Sequence, residues 1–294
     1  MNPIEFDAPT TVQEAIRLLG QDPAKAGPLS GGTDLIIQFR AGRRELSRMV
    51  DLKRIPELNV LEFDAAKGLR LGAAVPCARL CEFEPALKHY PGLVDGAALI
   101  GSMQIQSRAS VGGNVCNGSP AADSICSLIV LGAVCVVQGP KGTREIPAGG
   151  IMTGPGRTAL QPGEILVEFR VPTPAPRSSN AYLRFIPRNE MDIAVASAAT
   201  SLTFGPDGQT VASAAIAIGA VGPTPIQVDA AAKALVGRKL DEAALAAAAA
   251  ASSAAAQPIS DVRGPADYRR HLAGVLTRRS IEIAARRARG EKRT

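Results

Sequence analysis

Ala109-Ser110-Val111-Gly112-Gly113-Asn114, running on through Val115-Cys116-Asn117-Gly118-Ser119-Pro120-Ala121-Ala122 to Asp123, decides how the rest of this 294-residue chain is read. The run is made of small side chains, with paired glycines, two asparagines and one carboxylate. It packs poorly as a core but lets a backbone come close to a ligand. Adjacent glycines can take positive φ and carry no Cβ, so successive N–H groups can converge on an anion. A lone Gly-Gly reads equally as a tight surface turn. A second stretch of the same kind, Ser30-Gly31-Gly32-Thr33-Asp34, lies upstream. Two such loops, each followed by an apolar run, suggest a ligand with two phosphates.

The length suits about two domains. A composition 46% hydrophobic and 20% charged is globular, and with no tryptophan the core falls to Leu, Ile, Val and Ala. The net charge of +6 gathers near the end, in Arg278, Arg279, Arg286, Arg287, Arg289, Lys292 and Arg293. No aromatic residues are interleaved there to stack on bases, so nucleic acid is not expected. A solvated helix end or an acidic docking partner accounts for the surplus. The five cysteines, Cys77, Cys81, Cys116, Cys126 and Cys135, form no CxxC pair, and His89 and His271 are the only histidines. A reducing, cytoplasmic setting is expected, with the thiols buried and no metal site. No apolar run is long enough to span a membrane.

Along the chain, Thr11-x-x-Glu14 is a capping box opening a helix whose apolar stripe is Val12, Ala15, Ile16 and Leu19, ended by Gly20. Leu35 to Arg40 reads as a second helix, stopped by Gly42 and capped by Thr33, so the first loop brings its amides and a helix start to one point. Met49–Leu52 reads as a strand. Val60–Phe63 and Leu69–Leu71 read as a hairpin, Cys77–Lys88 and Pro91–Ile100 as helices, and Asp123–Leu131 as another. Ala133–Gln138 and Ile165–Val171 read as strands. Pro172-Thr173-Pro174-Ala175-Pro176 is the clearest linker. Beyond it, Ala181–Ile186, Ala194–Phe204 and Val211–Gly219 alternate as antiparallel strands, and helices start near Asp229, Asp241 and Pro265. Helices grouped after a sheet make an α+β domain.

The two glycine loops, the Pro-rich break and the ending Asp261-Val262-Arg263-Gly264-Pro265-Ala266-Asp267-Tyr268-Arg269 together resemble the FAD-binding medium subunit of molybdenum hydroxylases, the group that contains xanthine dehydrogenase and aerobic carbon monoxide dehydrogenase. The resemblance covers nearly the whole chain, and Ser-Val-Gly-Gly-Asn followed by Ser-Pro-Ala-Ala-Asp is its most specific part. It implies an α+β protein: a PCMH-type FAD-binding fold of two α/β subdomains, 1–58 and 59–173, followed by a C-terminal α+β domain, 178–289, with an antiparallel sheet and helices. By position it carries FAD contacts onto Leu29, Ser30, Gly31, Gly32, Thr33, Asp34 and Leu35 in the first loop. The second loop contributes Ala109, Ser110, Gly112, Gly113, Asn114 and Asn117, with Asp123 as a polar ligand. Ile165 and Leu166 flank the flavin, and Arg184 stands where some relatives carry lysine near the ring.

On residue chemistry alone, Asp123 serves equally as a helix N-cap. Asp34 would repel a phosphate, so its contact is expected through the backbone. Some relatives carry an inserted loop with four cysteines for an extra cluster, and some flavoproteins of the superfamily attach flavin to histidine. Neither feature is present here, so non-covalent FAD is expected, with molybdopterin and [2Fe–2S] clusters only on partner subunits. The resemblance implies no catalytic residue in this chain. It implies an electron relay that takes electrons from a small [2Fe–2S] subunit, with substrate oxidised on a large molybdopterin subunit in a dimer of heterotrimers, and passes them to NAD, oxygen or a quinone. A stand-alone flavin oxidase, or a flavin-free assembly or regulatory protein on the same scaffold, are the alternatives.

Overall fold

The computed structural model describes residues 3–291; Lys292 and Arg293 of the basic tail lie outside them. The chain opens with β1 (Glu5–Asp7) and α1 (Val12–Gln21). Thr11 is extended and its hydroxyl accepts the Glu14 amide at 3.2 Å, the capping bond that the sequence predicts. Val12, Ala15, Ile16 and Leu19 are buried as one stripe. β2 (Ala26–Leu29), α2 (Leu35–Arg40) and β3 (Arg48–Asp51) follow, and the strands form a parallel sheet in the order β1-β3-β2. The first glycine loop therefore leaves the carboxyl end of a parallel strand, where open α/β sheets place their ligands.

β4 (Leu61–Asp64) and β5 (Gly68–Gly72) form the expected hairpin. The helix expected over Cys77–Lys88 is two, α3 (Cys77–Glu82) and α4 (Glu84–His89), with Phe83 extended between them. Pro85 has no amide to continue the first ladder. After α5 (Pro91–Ala97) and α6 (Met103–Gln106), the organising stretch is itself helical, as α7 (Val111–Cys116). α8 (Ile125–Val130) leads to β6 (Val134–Gly139) and then to β7 (Gly142–Pro147), β8 (Met152–Gly154) and β9 (Arg157–Thr158), which the periodicity did not predict. β10 (Ile165–Val171) returns to the centre of an antiparallel sheet ordered β4-β5-β10-β6-β7.

Beyond the proline linker, β11 (Ser178–Phe185), β12 (Ala196–Phe204), β13 (Val211–Gly219) and β14 (Ile226–Gln227) form an antiparallel sheet in sequence order. α9 (Asp229–Leu235), α10 (Glu242–Ala255) and α11 (Ala266–Ala288) cover it, with Asp241 capping α10 through the Ala244 amide at 2.8 Å. Three hydrophobic clusters result. The one under α1 includes Ile165 and Val167 of β10, so the N-terminal unit completes its core on the second sheet.

The second sheet unit and the C-terminal domain meet along a polar seam. Asn180 Oδ1 accepts the Gly92 amide at 2.6 Å, Arg287 grips both oxygens of Asp95 at 2.6 and 2.9 Å, and the Ala220 amide donates to the Pro120 carbonyl at 2.8 Å. Among the described residues no helix is long and apolar enough to cross a membrane.

Candidate functional site

The two glycine stretches converge. Ser30 Oγ and Ser110 Oγ share a hydrogen bond of 2.8 Å across a separation of 80 residues. A Cβ on Gly31 would lie 2.4 Å from the Arg108 carbonyl oxygen, so only glycine lets the two backbones meet. Lys53 Nζ donates to the Ser30 carbonyl at 3.1 Å and to Asp51 Oδ1 at 2.5 Å, pinning the first loop from behind. Gln38 Nε2 donates to Asn117 Oδ1 at 2.9 Å, tying α2 to the end of α7. Asn114 Oδ1 accepts both the amide (3.2 Å) and the hydroxyl (2.7 Å) of Ser124.

Between the loops lies an open cleft of about 240 Å³. Its walls include Ser30, Gly31, Gly32, Thr33, Asp34, Leu35, Ala109, Ser110, Gly112, Gly113, Asn114, Asn117, Ile165 and Leu166. The amides of Gly31, Gly32, Thr33, Asp34 and Gly112 have no acceptor within the described residues. A cleft lined with free N–H donors and poor in side chains has the chemistry of an anion cradle.

Two local expectations are corrected. Thr33 does not cap α2: Asp34 holds that position in α conformation, and its carboxylate makes no capping bond. Gly112 and Gly113 are not a left-handed turn; they form the first turn of α7, capped by Ser110 Oγ on the Gly113 amide at 3.0 Å. Their need for hydrogen at Cα is steric. A Cβ on Gly112 would lie 2.3 Å from the Ala73 carbonyl oxygen, whereas one on Gly113 would meet only Ser110 Oγ at 3.2 Å and Ser30 Cβ at 3.9 Å, and so would project into the cleft. Positive φ is found at Gly32, at 77°, and in the second stretch at Gly118, at 68°.

Three of the residues singled out from sequence stand off the cleft walls. Leu29 is buried beneath the first loop at the end of β2. Asp123 does not cap α8, since Ser124 occupies that position without a capping bond. Its carboxylate accepts Tyr182 Oη–H at 2.8 Å and Arg184 Nη1–H at 2.7 Å, and it adjoins Ser124, the partner of Asn114. Burial pushes the Asp123 carboxyl up to about 6, against the opposing pull of Arg184 and of the Tyr182 hydroxyl. The Arg184 side chain is 5% exposed, and its Nε is buried without a partner. The pair thus leaves one strong buried donor unsatisfied.

Gln38, Lys53 and Tyr182 were not singled out from sequence, nor was Arg44, which also lines the cleft. Gln38 is three residues from Leu35 on α2, a spacing that puts both on one face. The pairing of Lys53 with Ser30 and of Tyr182 with Asp123 crosses between elements and leaves no local signal.

Partial burial pushes the Asp34 carboxyl above its ordinary value, the direction that eases its place beside an anion. Asp34→Asn is therefore expected to keep a diphosphate ligand at equal or tighter affinity, measured by fluorescence titration. Affinity lost tenfold or more would make the carboxylate itself the contact.

Residues 2–174 match the family described as the FAD binding domain in molybdopterin dehydrogenase, and residues 181–284 match the CO dehydrogenase flavoprotein C-terminal domain. The chain is 31% identical over 282 residues to a putative xanthine dehydrogenase FAD-binding subunit of Escherichia coli K12, covering 96% of each chain. It is 34% identical over 284 residues to a carbon monoxide dehydrogenase medium chain of Afipia carboxidovorans, covering 97% of each. Its fold is similar to a chain of the carbon monoxide dehydrogenase of Hydrogenophaga pseudoflava, with a TM-score of 0.92 at 33% identity over 97% of this chain and 98% of that one.

Proposed function

The chain belongs to the family of FAD-binding medium subunits of molybdenum hydroxylases, and from that premise we propose how its own residues hold the cofactor and what it does in its complex. It is the FAD-binding subunit of an oxidoreductase complex. FAD, when bound, supplies reversible uptake and release of electrons. The observation that carries the residue assignment is the convergence of two side-chain-poor stretches with free amides on one cleft.

In this reading the amides of Gly31, Gly32, Thr33, Asp34 and Gly112 donate to the diphosphate oxygens, and Gly113 keeps their approach open. Ser30, Ser110 and Lys53 hold the two loops in register. Asn114 and Asn117 offer donors and acceptors to the sugar or ring portions. Leu29, Leu35, Ile165 and Leu166 exclude water, Leu29 from beneath the loop. Arg184, whose guanidinium is held by Asp123 while Tyr182 donates to the same carboxylate, would supply a cation toward the flavin. A cation at this place favours the more negative, reduced state of the cofactor. No residue of the chain is assigned to proton transfer with substrate.

We assign substrate oxidation to a large molybdopterin subunit and electron delivery to a small [2Fe–2S] subunit, in a dimer of heterotrimers located in the cytoplasm. NAD, oxygen or a quinone serves as final acceptor. The test is spectral. The isolated chain should purify yellow with a flavin spectrum and turn over no simple donor, and in the assembled complex its flavin should bleach when the complex is given its substrate. A colourless chain that takes up no FAD, or oxidase turnover by the chain alone, would overturn the proposal.

A further inference from the structure

The cofactor site leaves the basic surplus of the last helix without a role. The structure divides those arginines unequally. Arg278 is paired with Glu242 and Glu282, Arg287 with Asp95, and Arg289 lies 4.7 Å over the Phe204 ring. Arg286, exposed in the last turn of α11, has no carboxylate partner among the described residues. It stands on one rim of a groove of about 880 Å³ that runs along the seam between α4, α5, β11 and α11. Lys88, at the end of α4, lines the same groove and is likewise exposed and unpaired among the described residues. Leu87, Leu99, Leu183 and Ile283 line the space between them, and Leu87 is 48% exposed.

This combination excludes the simpler uses of a hollow. A solvated helix end has no reason to line a groove with leucines. A small-molecule site needs free buried polar groups that orient the ligand, and here the Tyr182 hydroxyl is already engaged by Asp123 while both free cations are exposed on the rim. Nor does the groove suit a second copy of this chain, since a two-fold contact places the same patch on both sides and would set Lys88 and Arg286 against their own copies. Two carboxylates also line the groove, Asp95, which is paired with Arg287, and the exposed Glu291. The cations Lys88, Arg286 and Arg287 outnumber them, so the apolar hollow is complementary to an apolar anchor flanked by carboxylates.

We propose that the groove between α4 and α11 docks an acidic segment of a partner subunit, which sets an apolar side chain among Leu87, Leu99, Leu183 and Ile283 and carboxylates against Lys88 and Arg286. The inference rests on the reading of the chain as one subunit of an assembly. A carbodiimide joins a lysine amine to a carboxylate in direct contact. Treating the assembled complex with one should therefore link Lys88 to an Asp or Glu of a partner subunit, as read by peptide mass spectrometry. Lys88→Arg should abolish that link and leave assembly intact. The double variant Lys88→Glu, Arg286→Glu should keep its flavin spectrum and melting temperature but bind the partner subunits at least tenfold more weakly, with the loss shrinking as salt is raised. A double variant that assembles with unchanged affinity, or a Lys88 link to a second copy of this chain, would overturn the proposal alone. A wild-type chain that never joins partner subunits would overturn it together with the reading it rests on.

Discussion

Gly113→Val is expected to give a folded, colourless protein. The position lies in the first turn of α7 without positive φ, so a side chain is compatible with the backbone. Exchanging glycine for valine even removes a poor helix former. The added Cβ would meet Ser110 Oγ at 3.2 Å, which must shift by a few tenths of an ångström, and Ser30 Cβ at 3.9 Å, and otherwise face open cleft, so most of the cost falls on the ligand and little on the fold. Two methyl groups placed where a diphosphate must approach should weaken FAD binding at least about a hundredfold, roughly 2.7 kcal/mol. The control is Gly112→Val, where the Cβ would lie 2.3 Å from the Ala73 carbonyl oxygen and the fold itself should fail. Flavin titration and a melting curve separate the two outcomes. A Gly113→Val protein that retained yellow FAD at wild-type affinity would remove the second glycine stretch from the site.

Arg269→Met should do the reverse: lower stability sharply and leave the cofactor in place. Arg269 is 4% exposed and ties together backbone from separate parts of the C-terminal domain. It donates to the Val195 carbonyl at 3.1 Å, to the Ala220 carbonyl at 3.3 Å and to Asp261 at 2.5 Å. Methionine fills similar space but leaves those acceptors short of a charged donor. A loss of about 3 kcal/mol is expected, from one buried charged network left unsatisfied. Thermal unfolding should read this as a lower melting temperature, with FAD per folded molecule unchanged. Loss of flavin at constant stability would place the arginine in the cofactor site.

The Asp261–Arg269 stretch carries part of the family resemblance, yet it builds a clamp within the C-terminal domain and does not reach the cleft. Resemblance alone does not separate a motif that binds from one that braces. The capped helices and the long strands were legible because their signals are local: Thr11 with Glu14, Asp241 with Ala244, and the apolar runs of β12 and β13 bounded by the Gly205-Pro206-Asp207-Gly208 turn. The short strands β7 to β9 were not, since only one of the six residues of β7 is buried and it shows no alternation. The convergence of the two glycine stretches could be anticipated from their matching composition. The helical state of Gly112-Gly113 could not, because propensity disfavours it and only the close approach to Ala73 and the Ser110 cap require it. The ion pair of Asp123 with Arg184 spans 61 residues and two domains, and neither residue carries a local mark of the other.

The contact between Ser30 and Ser110, together with that between Gln38 and Asn117, has a consequence for how the molecule holds itself. Residues 80 and 79 positions apart meet there through neutral hydrogen bonds, each of which contributes only about 1 kcal/mol net. A dinucleotide lying across that junction acts as a suture. Under the proposed assignment it would grip the closed arrangement and not the parted one, so every tenfold excess over its dissociation constant would tighten the seam between the N-terminal sheet and the rest by about 1.4 kcal/mol. The prosthetic group is in that sense a structural member of the protein as well as its charge carrier.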